Sequence, residues 1–123
     1  MTTPIYLDYN ATTPIAPEVI SVITQCLVEF GNPSSSHAYG RRANELVQLA
    51  RAQVAQLITA TPTEIIFTGC ATESNNLAIL GMARASVNKK HIITSAIEHP
   101  AVMQPCLQLQ REGWDLTVLP VDA

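Results

Sequence analysis

The segment 64–76 combines an apolar run, a turn of small residues and the start of a helix. The first N–H groups of a helix lack intrahelical partners and carry partial positive charge, so they attract an anion. Gly69, Cys70 and Ala71 are small enough to let a phosphate approach the main chain. Thr72 and Ser74 add hydroxyls that can cap the helix or donate to phosphate oxygens. The pattern predicts a phosphate-binding turn, and residues 69–74 are called the cup below.

The spacing of the cup is weakly specific when it is taken alone. It contains neither the Gly-Lys-Ser/Thr of a P-loop nor a Gly-rich dinucleotide turn. Strand–turn–helix junctions are common, so a helix start without a ligand remains an open alternative.

A histidine, His99, follows the second predicted strand in the segment 95–99. Ligands of parallel sheets collect at the carboxyl ends of the strands, which places His99 at the same edge as the cup. A histidine there can stack on a ring or move a proton. A helix cap is the alternative role, and the coincidence of the two features favours the functional one.

The hydrophobic periodicity predicts alternating helices and strands. Pro17 and Pro100 suit the first turns of two helices, and Gly113 suits a helix stop. Such alternation is typical of an α/β fold with a parallel sheet and right-handed crossovers, whose apolar strands are covered on both faces. The predicted helices span 17–29, 37 or 40 to 58, 72–86 and 99–112, and the predicted strands span 64–68, 91–95 and 115–119.

The composition is that of one soluble globular unit. Of the 123 residues, 47% are hydrophobic and 14% are charged, with a net charge of -3. This mild acidity gives no electrostatic footprint for nucleic acid. No apolar run approaches the roughly 20 residues that span a bilayer. The start of the sequence lacks the pattern of a signal peptide, so we expect a cytoplasmic protein with no membrane or nucleic-acid partner.

The three cysteines, Cys26, Cys70 and Cys106, are widely spaced and form no metal-binding pattern. We expect no disulfide in the cytosol. Cys26 and Cys106 occupy apolar positions of predicted helices, which predicts buried, inert thiols. Cys70 lies in the turn before a helix, where it is either a more reactive thiol or a small residue that permits close packing.

Several segments together resemble the cysteine desulfurases of the nitrogen-fixation and iron–sulfur assembly type. These enzymes depend on pyridoxal 5'-phosphate (PLP) and belong to the aminotransferase class V group. The segments occur in the family's order and spacing, and the similarity covers essentially all 123 residues. The matching segments are Tyr-Leu-Asp-Tyr-Asn-Ala-Thr-Thr-Pro at 6–14, Phe-Gly-Asn-Pro-Ser-Ser-Ser-His at 30–37, the cup with its flanks at 67–76, His-Ile-Ile-Thr-Ser at 91–95 and Glu-His-Pro-Ala-Val at 98–102.

The resemblance implies a fold and a set of site residues. The fold would be part of the large domain of the aspartate aminotransferase type (fold type I), with an incomplete doubly wound sheet. Residues 1–15 would reach toward the small domain of a full-length relative, and residues 16–123 would form part of the PLP-binding large domain. Ala71 and Thr72 match positions that hold the PLP phosphate. His99 matches the catalytic histidine that stacks over the pyridine ring and is proposed to help with proton transfers.

One departure from the family pattern lies in the cup itself. The family turn usually reads Thr-Ser-Gly or a close relative, whereas this chain has Thr68-Gly69-Cys70. A phosphate contact from a serine side chain is therefore not expected there. The loops at 11–13 and 32–33 match loops that border the family's active-site cleft.

The implied activity is conversion of L-cysteine to L-alanine with sulfur transfer for iron–sulfur cluster assembly. The implied partners are a second copy in a homodimer or a complementary desulfurase chain, and a sulfur-acceptor or scaffold protein. The family's Schiff-base lysine, persulfide cysteine, pyridine-nitrogen acid and substrate-binding arginine match no residue here. Lys89 and Lys90 precede the second strand, and a strand of roughly 17–20 Å separates them from the cup. We therefore expect the chain to be inactive alone.

Two other functions stay open on the sequence. The chain could be a non-catalytic, truncated desulfurase that acts as a dimerisation or interaction protein, or a fragment of a selenocysteine lyase-like enzyme. The incomplete sheet also predicts a marginal monomer. Each large apolar side chain left in water costs about 1.5–3 kcal/mol, a sizeable part of a domain's net stability.

Overall fold

The computed structural model describes residues 4–122, which form two compact units joined at Ile65 and Ile66. Residues 1–3 of the predicted N-terminal segment lie outside the described residues. The helices are α1 (Pro17–Cys26), α2 (Ala38–Leu57), α3 (Ala71–Ala85) and α4 (Pro100–Arg111), the strands are β1 (His91–Ser95) and β2 (Asp115–Leu119), and a 3₁₀ turn spans Pro62–Glu64.

In the first unit, the segment before α1 is organised around Tyr6. The Tyr6 hydroxyl donates to the carbonyl oxygen of Asp8 at 2.8 Å and lies 3.3 Å from that of Thr12. The N–H of Ala11 donates to the same Asp8 oxygen at 3.1 Å. The Tyr9 ring meets the Tyr6 ring edge-on, with 5.2 Å between centroids. Tyr6 therefore fixes the turn that the resemblance associates with the cleft.

Helix α1 starts at Pro17 as predicted but ends at Cys26, three residues early. No residue of α1 is buried; Ile20 and Ile23, on its apolar face, remain about half exposed. Cys26 is exposed as well, so its predicted burial is wrong. The reason is that an apolar helical position becomes buried only where another element packs against it.

The loop before α2 is packed against the first turn of that helix at Gly40. Gly40 is buried, and a Cβ there would overlap the carbonyl oxygens of Ser35 and Asn32, the latter at 2.7 Å. The N–H of Ser35 donates to that Asn32 oxygen at 2.9 Å. His37 caps α2, since its Nδ1 accepts from the N–H of Gly40 at 3.3 Å. The absent side chain of Gly40 thus permits the loop to lie close to the helix.

The predicted strand 64–68 is not formed, and this prediction is wrong. Ile65 has an extended backbone, with φ -93° and ψ 125°, but residues 65–68 join no ladder within the described part of the chain. An extended segment becomes a strand only when a neighbour supplies its hydrogen bonds. The 3₁₀ turn before it is fixed by Glu64, whose carboxylate accepts from the N–H of Thr61 at 2.7 Å and from its hydroxyl at 2.8 Å. Both bonds lower the pKa of the Glu64 carboxyl, and the bond from the Thr61 backbone N–H has the larger effect.

In the second unit, β1 and β2 form a two-stranded parallel sheet, with His91 opposite Asp115 and Ser95 opposite Leu119. Both strands have the bounds that the sequence predicts. Helices α3 and α4 lie within one residue of prediction at each end. Pro100 opens α4, and Gly113 follows its end with φ 92°, a left-handed conformation that favours glycine. The α/β alternation is confirmed in this unit.

The core of the second unit lies along one face of α4, which contacts both α3 and β2. Cys106 and Leu109 are 2% and 1% exposed, so the predicted burial of Cys106 is confirmed. Desolvation by burial, with a smaller contribution from the charge of Glu98, raises the pKa of the Cys106 thiol. Helix α4 therefore holds its place by apolar packing, and its first turn is positioned with it.

The described residues do not cover the two strands on both faces. Ile92 is partly buried, whereas its neighbour Ile93 is 61% exposed. Successive side chains of a strand point to opposite faces, so one face of the pair is open. This exposure agrees with the expected incomplete sheet.

We predict that Gly40→Ala destabilises the protein by about 1–3 kcal/mol, because the new Cβ meets two main-chain oxygens that cannot move independently of the loop. Gly81→Ala is the matched control. Gly81 lies inside α3 with no atom within 4 Å of a Cβ, so alanine there should be neutral or stabilise by up to about 1 kcal/mol. Urea denaturation midpoints of the two variants decide the point, and equal midpoints would contradict the packing described for Gly40.

Candidate functional site

Helix α3 begins without a side-chain cap. Its N-cap residue, Cys70, is extended (φ -166°, ψ 167°) and makes no side-chain hydrogen bond to the helix. The first intrahelical bond runs from the N–H of Ser74 to the Cys70 oxygen at 3.1 Å. Among residues 4–122, no hydrogen-bond acceptor meets the N–H groups of Ala71 and Thr72. These groups are therefore free to bind an anion, as the cup pattern predicts.

The turn that precedes α3 is held by side chains of the first helical turn, Glu73 and Ser74, and by Thr68. The Glu73 carboxylate accepts from the N–H of Gly69 at 2.7 Å. The Thr68 and Ser74 hydroxyl oxygens lie 2.5 Å apart, and Thr68 also donates to the Cys70 oxygen at 3.2 Å. The Ser74 hydroxyl therefore stabilises the turn, which takes it away from the phosphate-binding role that the sequence left open for it.

Sequence reasoning missed the parts played by Glu73 and Thr68. The available signal was an acidic residue in the first turn of a helix, where such side chains fold back on preceding N–H groups. Gly69 gives this contact its space, since a Cβ there would lie 3.3 Å from the Glu73 carboxylate.

Thr72 and His99 line the same groove, which has a volume of about 460 Å³. The Thr72 hydroxyl makes no hydrogen bond within the described residues, while its carbonyl oxygen accepts from the Asn76 amide at 2.8 Å. Ala71 begins the helix one residue before Thr72. The structure thus brings together the two features that the sequence placed at one edge. The rest of the groove is lined by apolar residues of α4, namely Pro100, Ala101 and Pro105, and by polar or charged residues of α3 and α4, namely Asn76, Gln104, Gln108 and Arg111.

His99 is the N-cap residue of α4. Its Nδ1 accepts from the N–H of Ala101 at 3.0 Å, which confirms the capping alternative. The ring also lines the groove, and its Nε2 has no hydrogen-bond partner among the described residues. Capping and a role in the groove therefore involve different nitrogens of the same ring.

The electrostatics of the groove favour an anion. It is bordered by the first turns of α3 and α4, both of which carry partial positive charge. Arg111 adds a full positive charge, and none of the described residues that line the groove is acidic. A phosphate or carboxylate would be stabilised here by the field as well as by direct hydrogen bonds.

The two lysines lie away from this groove. Lys90 immediately precedes β1, and its carbonyl oxygen accepts from the N–H of Asp115 at 2.7 Å. Lys89 lines a different cavity of about 340 Å³, together with Ile92 and Trp114. Their predicted position at the amino end of the strand is confirmed.

Within residues 4–122, no group of three or more His, Cys, Asp or Glu side chains is arranged to hold a metal ion. No helix there combines the length and the apolarity needed to cross a membrane.

The chain belongs to the aminotransferase class-V family, whose model matches residues 5–123. One curated relative, the cysteine desulfurase IscS of Shewanella piezotolerans, is 54% identical over 128 residues, which cover 100% of this chain and 32% of the relative. The chain therefore spans about a third of the length of such relatives, and it corresponds to their amino-terminal part. The resemblance drawn from the sequence motifs is confirmed.

Solved structures support the same relationship. A NifS-like protein superposes with a TM-score of 0.87 at 37% identity, over 98% of this chain and 33% of that protein. SspA, solved in complex with cysteine, gives a TM-score of 0.82 at 41% identity, over 93% of this chain and 33% of its own. The fold is thus part of the α/β fold type I architecture of PLP-dependent enzymes, as predicted.

We predict that iodoacetamide modifies Cys26 and Cys70 of the native chain rapidly and Cys106 only after unfolding. The thiolate is the form that reacts with iodoacetamide. Cys106 is buried and the pKa of its thiol is raised, whereas Cys26 and Cys70 are exposed. Peptide mass mapping over a time course, with and without urea, measures the three rates. Rapid native labelling of Cys106 would contradict the packing of α4.

Proposed function

We propose that this chain provides the phosphate-binding and ring-stacking part of a PLP-dependent cysteine desulfurase. The observation that carries the proposal is that Thr72 and His99 line one groove beside the uncapped start of α3. Membership of the aminotransferase class-V family and similarity to cysteine desulfurases support it.

The residues present fit the phosphate of PLP. Two free N–H groups, at Ala71 and Thr72, and the unengaged Thr72 hydroxyl can donate to phosphate oxygens. The serine contact that the family turn usually offers has no counterpart at Gly69 or Cys70, so the phosphate contacts assigned here come from the start of α3. Ala71, Thr72 and His99 are therefore the residues that we assign to the cofactor.

His99 suits the pyridine ring because it is an aromatic side chain held in place by its own cap. A bound PLP would supply an electron sink for the amino-acid substrate. This chain would position the cofactor. The start of α3 would bind its phosphate, and the His99 side chain would stack against its pyridine ring. Residues 16–123 would be part of the cofactor-binding large domain, and residues 1–15 would reach toward the small domain of the whole enzyme.

The whole enzyme would convert L-cysteine to L-alanine and pass the sulfur to an acceptor protein for iron–sulfur cluster assembly. Cysteine is favoured over selenocysteine as substrate because SspA, one of the structural relatives, is solved with cysteine. The chain needs residues beyond these 123 for turnover, since Lys89 lines a different cavity and both lysines lie at the start of β1. We further propose a cytoplasmic homodimer.

The test is intact mass after incubation with PLP and reduction with borohydride. We expect no stoichiometric adduct on the 123-residue chain, and an adduct together with PLP-dependent alanine formation from L-cysteine once the complementary two thirds of a close desulfurase is added or fused. A stoichiometric adduct on Lys89 or Lys90 would overturn the assignment of the groove. Failure of every complemented form to produce alanine would overturn the desulfurase function.

We predict that Thr72→Val in the complemented enzyme weakens PLP binding about ten- to a hundredfold, with little effect on folding. Valine keeps the shape but removes a hydroxyl that donates to a charged phosphate, which is worth about 1.5–3 kcal/mol. Thr24→Val is the control, because the Thr24 hydroxyl donates to the Ile20 oxygen of its own helix at 2.8 Å. Equilibrium dialysis with PLP measures both affinities, and an unchanged affinity for Thr72→Val would remove Thr72 from the phosphate site.

A further inference from the structure

We propose that one side of α3 binds the same side of α3 in a second copy of this chain, with the two helices antiparallel. This surface consists of Glu73, Leu77, Leu80 and Arg84 and is called the α3 stripe below. The contact rests on the homodimer put forward under the proposed function, and it gives that dimer a surface and an orientation.

The α3 stripe follows one side of the helix from its first turn to its last. Its four residues are separated by four, three and four positions, the spacing that keeps side chains on one side of an α-helix. Together with Asn76 and Gly81, they line a groove of about 340 Å³. Leu77 is 49% exposed and Leu80 is only partly buried, so within the described residues the apolar centre of the stripe is open to solvent.

The order of residue types along the α3 stripe is complementary to itself. An acid lies at one end, a base lies at the other, and two leucines lie between them. When a second α3 is turned end for end about a point midway between Leu77 and Leu80, its Arg84 lies opposite Glu73 and its Leu80 lies opposite Leu77. A two-fold axis makes each of these contacts twice, as an interface between identical surfaces requires. Two ion pairs therefore flank a small leucine core, and this pattern favours a second copy over an unrelated partner.

The two other residues of the groove suit the same orientation. The rotation that pairs the leucines also places Gly81 opposite Asn76 of the second copy. None of the described atoms lies within 4 Å of a Cβ built on Gly81, so the second helix has room to approach there. A parallel pairing would instead place Glu73 beside Glu73 and Arg84 beside Arg84, and like charges at a contact repel each other. The charges therefore select the antiparallel arrangement.

Both charged residues are available for the contact. Among residues 4–122, the exposed Arg84 guanidinium forms neither an ion pair nor a hydrogen bond. Glu73 uses one carboxylate oxygen to accept from the N–H of Gly69 at 2.7 Å, which leaves its other oxygen to accept from a guanidinium. Because the bond from Glu73 to Gly69 holds the turn before α3, Arg84 of the second copy would support the cup from across the interface.

The first test is disulfide formation between two differently tagged variants of the chain, Leu77→Cys and Leu80→Cys. Both also carry Cys26→Ser and Cys70→Ser, which remove the exposed thiols, while Cys106 stays buried. After oxidation with oxidised glutathione, mass mapping should show a disulfide that joins position 77 of one copy to position 80 of the other. The control mixes Leu77→Cys with Met82→Cys, because Met82 is 73% exposed but lies on the opposite side of α3 and should stay unlinked.

Two outcomes of this test would overturn the proposal. One is an equal yield of disulfide from the mixture and from its control, or disulfides between identical positions in place of the mixed one. The other is loss of the mixed disulfide when each chain is fused to the complementary two thirds of a close desulfurase, since the rest of the enzyme would then cover the α3 stripe.

The second test reverses one charge in the fused form. Arg84→Glu replaces both ion pairs by repulsions, so we expect the two copies to dissociate about tenfold faster, measured as subunit exchange between donor- and acceptor-labelled protein. Lys90→Glu is the control, because it makes the same charge change at an exposed position outside α3. Circular dichroism checks that both variants are folded. Equal exchange rates for the two variants would contradict the α3 contact.

Neither test depends on the cofactor. Disulfide formation and subunit exchange are measured without PLP and without turnover. A failure of the α3 contact would therefore leave the assignment of Thr72 and His99 standing, and a failure of PLP binding would leave the α3 contact standing.

Discussion

A helix that starts without a side-chain cap leaves its first N–H groups to find partners elsewhere, and α3 starts in this way at Cys70. The turn before it keeps its shape through the Glu73 bond to Gly69 and the contact between the Thr68 and Ser74 hydroxyls. The side chains that could have competed for the helix start are thus used to hold the turn. What remains open is a rigid pair of donors, which is the condition for binding an anion without reorganisation.

The position of His99 depends on packing far from the groove. Helix α4 contacts α3 and β2, and its face with Cys106 and Leu109 is buried, so its first turn is positioned by that packing. A substitution at Cys106 or Leu109 would therefore shift the His99 ring, although neither residue lines the groove. The cup depends on hydrogen bonds, whereas His99 depends on apolar burial, so the two halves of the site respond differently to salt and to temperature.

Local signals in the sequence predicted what local interactions decide. Pro100, Gly113 and the bounds of β1 and β2 were foreseen because turn chemistry and apolar runs determine them. The strand 64–68 was not foreseen correctly, since an apolar run cannot reveal whether a neighbouring strand is present. The prediction that Cys26 is buried was wrong for the same reason, because it depends on whether another element packs against α1. The role of Glu73 was missed because its bond to Gly69 depends on the path of the turn. Motif resemblance found Thr72 and His99 but gave no information on which nitrogen of the ring is free.

The parallel pair of β1 and β2 has a consequence for producing this protein in the laboratory. Within the described residues each strand has one unpaired edge, and Ile93 is exposed on the open face. Such edges accept a strand from any source, including another molecule. Pairing within the enzyme is independent of concentration, whereas pairing between molecules increases with it. Self-association of the 123-residue chain should therefore increase with its concentration, and the yield of native material should rise when the complementary part is fused to the same chain.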